Sequence, residues 1–560
     1  MSFRQVLLAT APVLAACLLG STALAADPVG ATAPAAPAAA SDATATPIKH
    51  LVVIFNENVS FDHYFATYPK AANPAGEPAF TAAAGTPSVD GLLHDDLLTN
   101  NPNFTNKENG ADAANPFRLD RAQAATADQN HAYTAEQMAA DGGKQDLYPK
   151  FTGKGSAGGA GAFATKGQVM GYFDGNTVTA MWNYAQHFSM SDNAWTDTYG
   201  PSTPGALEVV AGQTDGMIIG KTSKKPFSMT GYSYYIDNGN GGFAMINDVD
   251  PTDDVCSSAS DHVMMQGRNI GDLLNKAGLS WGSFMGGFDL STKNANGTSG
   301  CKRSTDSAVV GAKVVDYIPH HAWFQYYAST ANPSHARPSS VDAIGYTFDH
   351  DGKADPANHE YDLQDFYDAV KAGNYPAVSY IKLPAFQDGH AGYSDPLDEQ
   401  QGTVALIDFL EKQPDWKNTA VVITWDDSDG WYDHAFAKPT NASADSQADQ
   451  LDGAGKCGDG SKLGGVGGKP VNGRCGPGTR IPFLVISPWV KPNFVSHTQI
   501  TQASVIRFIE DNWLKGERLG GGSFDATTGS MMDMFDFASG GHLPPLQLDP
   551  STGTPLATTN

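Results

Sequence analysis

Positive charge is scarce in this chain. Against 60 aspartates and glutamates stand 35 lysines and arginines, for a net charge of −25 over 560 residues. So acidic a surface excludes nucleic acid and anionic membranes as bulk electrostatic partners, since both are polyanions. It leaves room for a small anion in a local positive field. Cysteine is also sparse, with five residues and no Cys-x-x-Cys pair of the metal-binding kind. Beyond the first 25 residues no apolar run is long enough to span a bilayer. Repeats of the solenoid or propeller type are missing too.

The first 25 residues stand apart. Arg4 gives a positive start, Val6 to Gly20 is mostly apolar, and Ala23-Leu24-Ala25 fits a cleavage site. This pattern predicts an export signal over 1–25 and a periplasmic or secreted protein. Leu14-Ala15-Ala16-Cys17 resembles a bacterial lipoprotein box, which would make Cys17 a lipid anchor. The apolar run continues past Cys17, which favours cleavage after Ala25. Residues 26–47 are rich in Ala, Pro and Thr and predict a disordered linker. The folded domain is expected over 48–560, with a C-terminal tail from about 516. Removing the signal leaves Cys256, Cys301, Cys457 and Cys475, which an oxidising compartment would pair. Four cysteines allow three connectivities. Proximity favours 256–301 and 457–475, each closing a Gly/Asp/Ser-rich loop.

What the chain does have is a set of buried-strand runs that end in oxygen donors. Leu51-Val52-Val53-Ile54 leads into Phe55-Asn56-Glu57-Asn58, and Ala420-Val421-Val422-Ile423 leads into Thr424-Trp425-Asp426-Asp427. Continuous β-branched runs mark buried parallel strands, and ligands in open α/β sheets lie at the strands' carboxyl ends. Glu57, Asn58, Asp426 and Asp427 are therefore expected to converge on one cation, because carboxylates do not crowd together without a counter-charge. Val378 to Leu383 and Pro482 to Ser487 read as further strands. Helical patterns fall at Met181 to Phe188, Gly205 to Ala211, Asn269 to Ala277, Gly402 to Gln413 and Gln502 to Trp513. The alternation predicts an α/β fold with a mainly parallel sheet. Residues 70–165 read as an insertion with short helices, and 438–478 as a long surface loop.

Two further groups bear on chemistry. In Gly200-Pro201-Ser202-Thr203-Pro204, Ser202 or Thr203 is expected to cap the following helix. A helix start favours an anion, so a hydroxyl there is placed to attack phosphorus. His131, His320, His321 and His390 are expected to form a cationic wall around a phosphate, strongest in mildly acidic solution. Asp62, His63, Asp433 and His434 follow the two strand ends and read as capping and orienting groups. Trp323, Phe324, Tyr326 and Tyr327 are either core or the exposed lip of a lipid-facing cleft.

Asn56-Glu57-Asn58-x-Ser60-Phe61-Asp62-His63-Tyr64-Phe65 resembles the opening signature of the bacterial phosphoesterase family. That family holds non-haemolytic phospholipases C and a branch of acid phosphatases, on an alkaline-phosphatase-like fold. The resemblance continues in order at His187 to Asp192, Gly200 to Pro204, Trp425 to His434, Arg480 to Trp489 and Ser504 to Glu510, covering about 48–515. It implies an α/β domain with a central, mainly parallel sheet flanked by helices, carrying long loop insertions. It implies that Ser202 is the nucleophile of a metal-dependent phosphoric ester hydrolase and forms a phosphoserine. Glu57, Asn58, Ser202, Asp426 and Asp427 would hold one metal, and Asn58 with His131, His320, His321 and His390 would bind the phosphate. An all-oxygen set favours Ca²⁺, Mg²⁺ or Mn²⁺ and leaves zinc or iron open. The adjacent histidine pair and the serine resemble the acid-phosphatase branch. The alternatives are a phospholipase C, for which membrane lipid would be a partner, and a non-catalytic exported protein stabilised by a cation.

Overall fold

A computed structural model describes residues 44–252, 254–538, 540 and 543–557. The expected signal and the linker up to residue 43 lie outside the described residues. At the start of the described chain, the backbone N–H groups of Ala45 and Thr46 are hydrogen-bonded to Asn512.

Eight strands make the central sheet. In chain order they are β1 (His50–Asn56), β2 (Ser189–Ser191), β3 (Trp281–Met285), β4 (Glu360–Asp362), β5 (Val378–Lys382), β6 (Thr419–Trp425), β7 (Phe483–Ile486) and β8 (Phe494–Ser496). Across the sheet the order is β4-β3-β5-β1-β6-β7-β2-β8. Strands β4, β3, β5, β1 and β6 run parallel, β7 runs antiparallel to both of its neighbours, and β8 is parallel to β2. The mainly parallel α/β sheet expected from the sequence is present. Its centre is buried: Leu51 to Phe55 of β1 and Ala420 to Ile423 of β6 are fully shielded from solvent. That burial explains why both strands read as unbroken apolar runs. The register pairs Phe55 with Thr424 and Asn56 with Trp425, so the two strands end side by side.

Four helices matter for the site: α1 (Phe61–Phe65), α2 (Ser202–Ala211), α3 (Pro396–Glu411) and α4 (Ala503–Trp513). Helix α2 packs on α4. Helix α3 begins six residues before the expected Gly402, because Asp395 caps it and Pro396 occupies its first turn. Helix α2 begins at Ser202, not Gly205, and neither Ser202 nor Thr203 caps it. Its N-cap is Pro201, which offers no side-chain bond, and the Thr203 N–H is met instead by Asp248 at 2.8 Å. The Ser202 hydroxyl is turned elsewhere.

A second, five-stranded sheet is built from segments between Asp215 and Met265. Residues 70–165 carry short helices and turns, as expected, and one two-residue strand, Phe117–Arg118. Both predicted disulfides are present: Cys256–Cys301, and Cys457–Cys475 within the 438–478 loop. Trp323, Phe324, Tyr326 and Tyr327 are buried in the main core, so they form no exposed lip.

Candidate active site

Three parallel strands end together. The Glu57 N–H donates to the Asp388 carbonyl just beyond β5, and the Val59 N–H to the Asp427 carbonyl just beyond β6. These bonds bring the residues after β1, β5 and β6 to one point at the carboxyl edge of the sheet. Helix α2 comes down on the same point. Gly205 in its first turns lies against the Asp426 backbone so closely that any Cβ there would collide with the carbonyl oxygen. Gly200, at φ 121°, makes the turn that aims the helix start.

Ser202 thus reaches the strand ends. Its Oγ lies 2.9 Å from Glu57 Oε2, 3.3 Å from Asp427 Oδ2 and 3.4 Å from the Asn58 amide oxygen. All five side chains of the expected metal set, Glu57, Asn58, Ser202, Asp426 and Asp427, are within 2% of complete burial. Asn58 is informative. With its amide oxygen inward, that oxygen faces the carboxylates of Glu57 and Asp426 and has only the 3.4 Å contact with the Ser202 hydroxyl to offset them. With the amide turned over, its nitrogen donates to Asp426 at 2.8 Å and Glu57 at 2.5 Å, while its oxygen accepts from His390 Nε2 at 3.1 Å. Oxygens converging on oxygens is what a hard cation relieves, so this donor set fits Ca²⁺, Mg²⁺ or Mn²⁺.

The electrostatics agree. Asp426 is pushed well above the usual carboxyl range by burial, then by Glu57 and Asp427. Asp427 is raised mainly by burial. Burial also opposes a charge on Glu57, yet His321 and Lys382 more than offset it and hold its carboxyl well below the usual range. His321 is itself lowered by burial, so it is neutral near pH 7. The buried ammonium of Lys382, which touches Glu57 Oε1, is the permanently charged of the two partners.

The histidines surround this cluster. His321 Nδ1 is 3.2 Å from Glu57 Oε1, and the His320 and His321 rings meet edge to face at 4.5 Å. His131 and His390 pack edge to face at 5.7 Å on the other side of Asn58. They do not form a uniformly cationic wall. Burial disfavours charge on His131, but Asp427 and Asp429 outweigh it and raise it well above the imidazole norm. His320 is also raised, against its burial, by Asp250 and Asp248.

Sequence reasoning missed three residues of this site. Lys382 ends β5 just as Glu57 and Asp426 follow the ends of β1 and β6, and that same signal marked it. Asp388 stands two residues before His390 and 4.0 Å from His321 Nδ1. Asp429, held at φ 54°, lies 3.0 Å from His131 Nδ1 and orients that ring. Among the described residues, two groups able to ligate a metal flank Ser202: Glu57, His321 and Asp388, and Asp128, His131, His390 and Asp429. Asp62 and Asp433 lie outside the site and pair with buried Arg480, while Ser60 caps α1 and His63 stacks on Trp431.

A family model described as the phosphoesterase family matches residues 48–514. The chain belongs to that family. Among its relatives, the non-hemolytic phospholipase C of Pseudomonas aeruginosa is 30% identical over 161 residues, 26% of this chain and 21% of that protein. Phospholipase C A of Mycobacterium tuberculosis is 22% identical over 524 residues, 91% of this chain and 81% of that protein. Matches to the first of these phospholipases thus span about a fifth of their length, as with the 19% covered in that of Burkholderia pseudomallei. A solved alkaline-phosphatase-superfamily protein from Vibrio parahaemolyticus is 12% identical, with a TM-score of 0.27, over 66% of this chain and 67% of its own. The family resemblance read from the sequence is borne out.

Proposed function

We propose that this phosphoesterase-family protein is an exported, metal-dependent phosphoric ester hydrolase that works through a phosphoserine on Ser202 and prefers phosphate monoesters. The observation that carries the proposal is the Ser202 hydroxyl, at the first turn of α2 and in hydrogen-bond range of Glu57 and Asp427. Export is supported by the signal-like first 25 residues, to be removed after Ala25, and by the two disulfides.

A divalent ion such as Ca²⁺, Mg²⁺ or Mn²⁺, held by Glu57, Asn58, Ser202, Asp426 and Asp427, would neutralise phosphate charge and acidify the serine hydroxyl. Ser202 Oγ attacks phosphorus, an Oγ–P bond forms, and the bond from phosphorus to the leaving alcohol breaks. Glu57 Oε2 orients the hydroxyl through the 2.9 Å bond, and Asp427, whose carboxyl burial makes more basic, takes its proton across 3.3 Å. The charged His131 and His320 stabilise the non-bridging oxygens. One of the four histidines protonates the leaving oxygen, and water then cleaves the phosphoserine to release phosphate.

A second reading, phospholipase C, is favoured by the names of the relatives. A monoester presents three non-bridging oxygens to the histidines and a diester two. One charged donor left unpaired costs about 1–3 kcal/mol, roughly ten- to a hundredfold in rate. The test compares kcat/KM for a small aryl phosphate and for dispersed phosphatidylcholine on one preparation. The monoester is expected to win by about tenfold or more. A reversed ratio selects the phospholipase reading. No turnover of any ester leaves the cation-stabilised binding protein.

A further inference from the structure

Another group of ligating atoms converges between the 70–165 insertion and the loop after β6. Asp90 and His94 lie in the 70–165 insertion, and His434 lies seven residues beyond Asp427. His94 Nε2 is 3.1 Å from Asp90 Oδ1, and His434 Nε2 is 3.1 Å from the same oxygen. The three ligand atoms all lie within 4.8 Å of one another. Zinc with bonds of about 2.0–2.1 Å in a tetrahedron holds its ligand atoms roughly 3.3 Å apart, so two of the three spacings already match.

Both imidazoles are oriented for the task. His434 Nδ1 is bonded to Asp62 Oδ2 at 2.7 Å, and His94 Nδ1 to Asp95 Oδ2 at 3.1 Å. A carboxylate on Nδ1 fixes the tautomer that presents Nε2 as a ligand and makes it more basic, which is the arrangement behind most histidine metal ligands. The charge balance points the same way. Asp62, Asp90, Asp95 and Asp433 bring four carboxylates to the group, and the guanidinium paired with them among the described residues is that of Arg480, 3.6 Å from Asp90 and 3.3 Å from Asp62. Asp90 and His94 are about half exposed, so an ion has a route in and water can complete its shell.

We propose that Asp90, His94 and His434 form a second metal site, separate from the Ser202 centre, that binds one zinc-type dication and staples the insertion to the loop after β6. Nitrogen-rich ligation separates it in kind from the all-oxygen set around Ser202, which suits hard cations. The ion would fasten the stretch that carries Asp426, Asp427 and Asp429 at its far end, His434. Its expected effect is on stability.

The test is a zinc titration of the full chain kept in excess Ca²⁺, with bound zinc counted by elemental analysis after gel filtration. The wild type and the single variants His94→Ala and Asp90→Ala are compared. Both residues are exposed at the surface, so neither change threatens the fold. Any zinc that enters the Ser202 centre is common to all three proteins and cancels. The wild type is expected to hold one zinc more than either variant, or to bind that equivalent at least tenfold more tightly. Zinc is expected to raise the wild-type Tm and to leave that of His94→Ala unmoved by this site. Cobalt in place of zinc is expected to give tetrahedral visible bands in the wild type that His94→Ala lacks. Equal zinc content and equal Tm shifts in all three proteins would overturn the site.

Discussion

At Ser202 one hydroxyl meets two carboxylates while its own backbone opens a ten-residue helix. Thr203 stands beside it with a different fate: its Oγ1 faces the His320 carbonyl at 3.4 Å. In the proposed mechanism the two neighbouring hydroxyls divide into a nucleophile and a structural group. Ser202→Ala is expected to keep the wild-type Tm and lose turnover by several orders of magnitude, as deletions of other nucleophiles do. Thr203→Ala, which gives up one long bond, is expected to keep most of its activity. Steady-state rates on an aryl phosphate with thermal melts of both variants check the pair. Near-full activity in Ser202→Ala would reassign the nucleophile. Lys382 belongs to this scale too. Its buried ammonium is the permanent positive charge among Glu57, Asp388 and Asp426, and burial without it would leave those carboxylates uncompensated.

Among the elements, the contact between α2 and the end of β6 sets the site. Gly205 permits it, since a methyl there meets the Asp426 backbone, which the sheet holds rigid. Gly205→Ala therefore cannot be absorbed by a flexible side chain. It is expected to destabilise by about 1–3 kcal/mol through overpacking and to lower kcat more than it raises KM, because Ser202 moves away from Glu57 and Asp427. A variant with unchanged kcat and Tm would show that the helix can shift freely. The strands that frame this contact were legible in the sequence. β1 and β6 are buried on both faces, so their apolar runs are unbroken, and the residues that follow each run had to be edge residues. The start of α2 was not legible. Ser202 carries the residue type of a helix cap, and only the tertiary position of Glu57 and Asp427 diverts its hydroxyl from that use. The start of α3 was written in Asp395-Pro396 and was passed over for the apolar pattern further on. Lys382, too, was visible as a charge closing an apolar strand. Asp429 was hidden, because its role depends on a left-handed backbone that brings it to His131.

Across the whole molecule, burial of acids is the dominant electrostatic feature of so acidic a chain. Asp197, Asp395 and Glu411 are each raised to about 7, Glu399 to about 8 and Glu510 to about 9, in every case by burial first. Their ordinary values are 3.8 for Asp and 4.5 for Glu. Between those values and their folded ones, the folded protein holds protons that the unfolded chain has released. Stability falls with pH wherever the folded state binds more protons, so these five groups favour the fold at low pH and cease to do so as pH rises through about 7 to 9. His434 acts in the same direction. Burial works against its charge, but Asp62 and Asp90 raise it to about 10, so its contribution is present below 6.5 and fades above that. His63 and His359 act oppositely. Burial lowers them to about 3 and about 4, so they disfavour the fold only below 6.5, where the unfolded chain takes up protons. Above 6.5 nothing in these two opposes the acids. The Tm of the full chain is therefore expected to fall steadily from pH 6.5 towards pH 9, in scanning calorimetry at constant ionic strength and constant Ca²⁺. A Tm that is flat or rising over that interval would mean the buried carboxyls are ionised in the folded protein, held by charges other than those around them here.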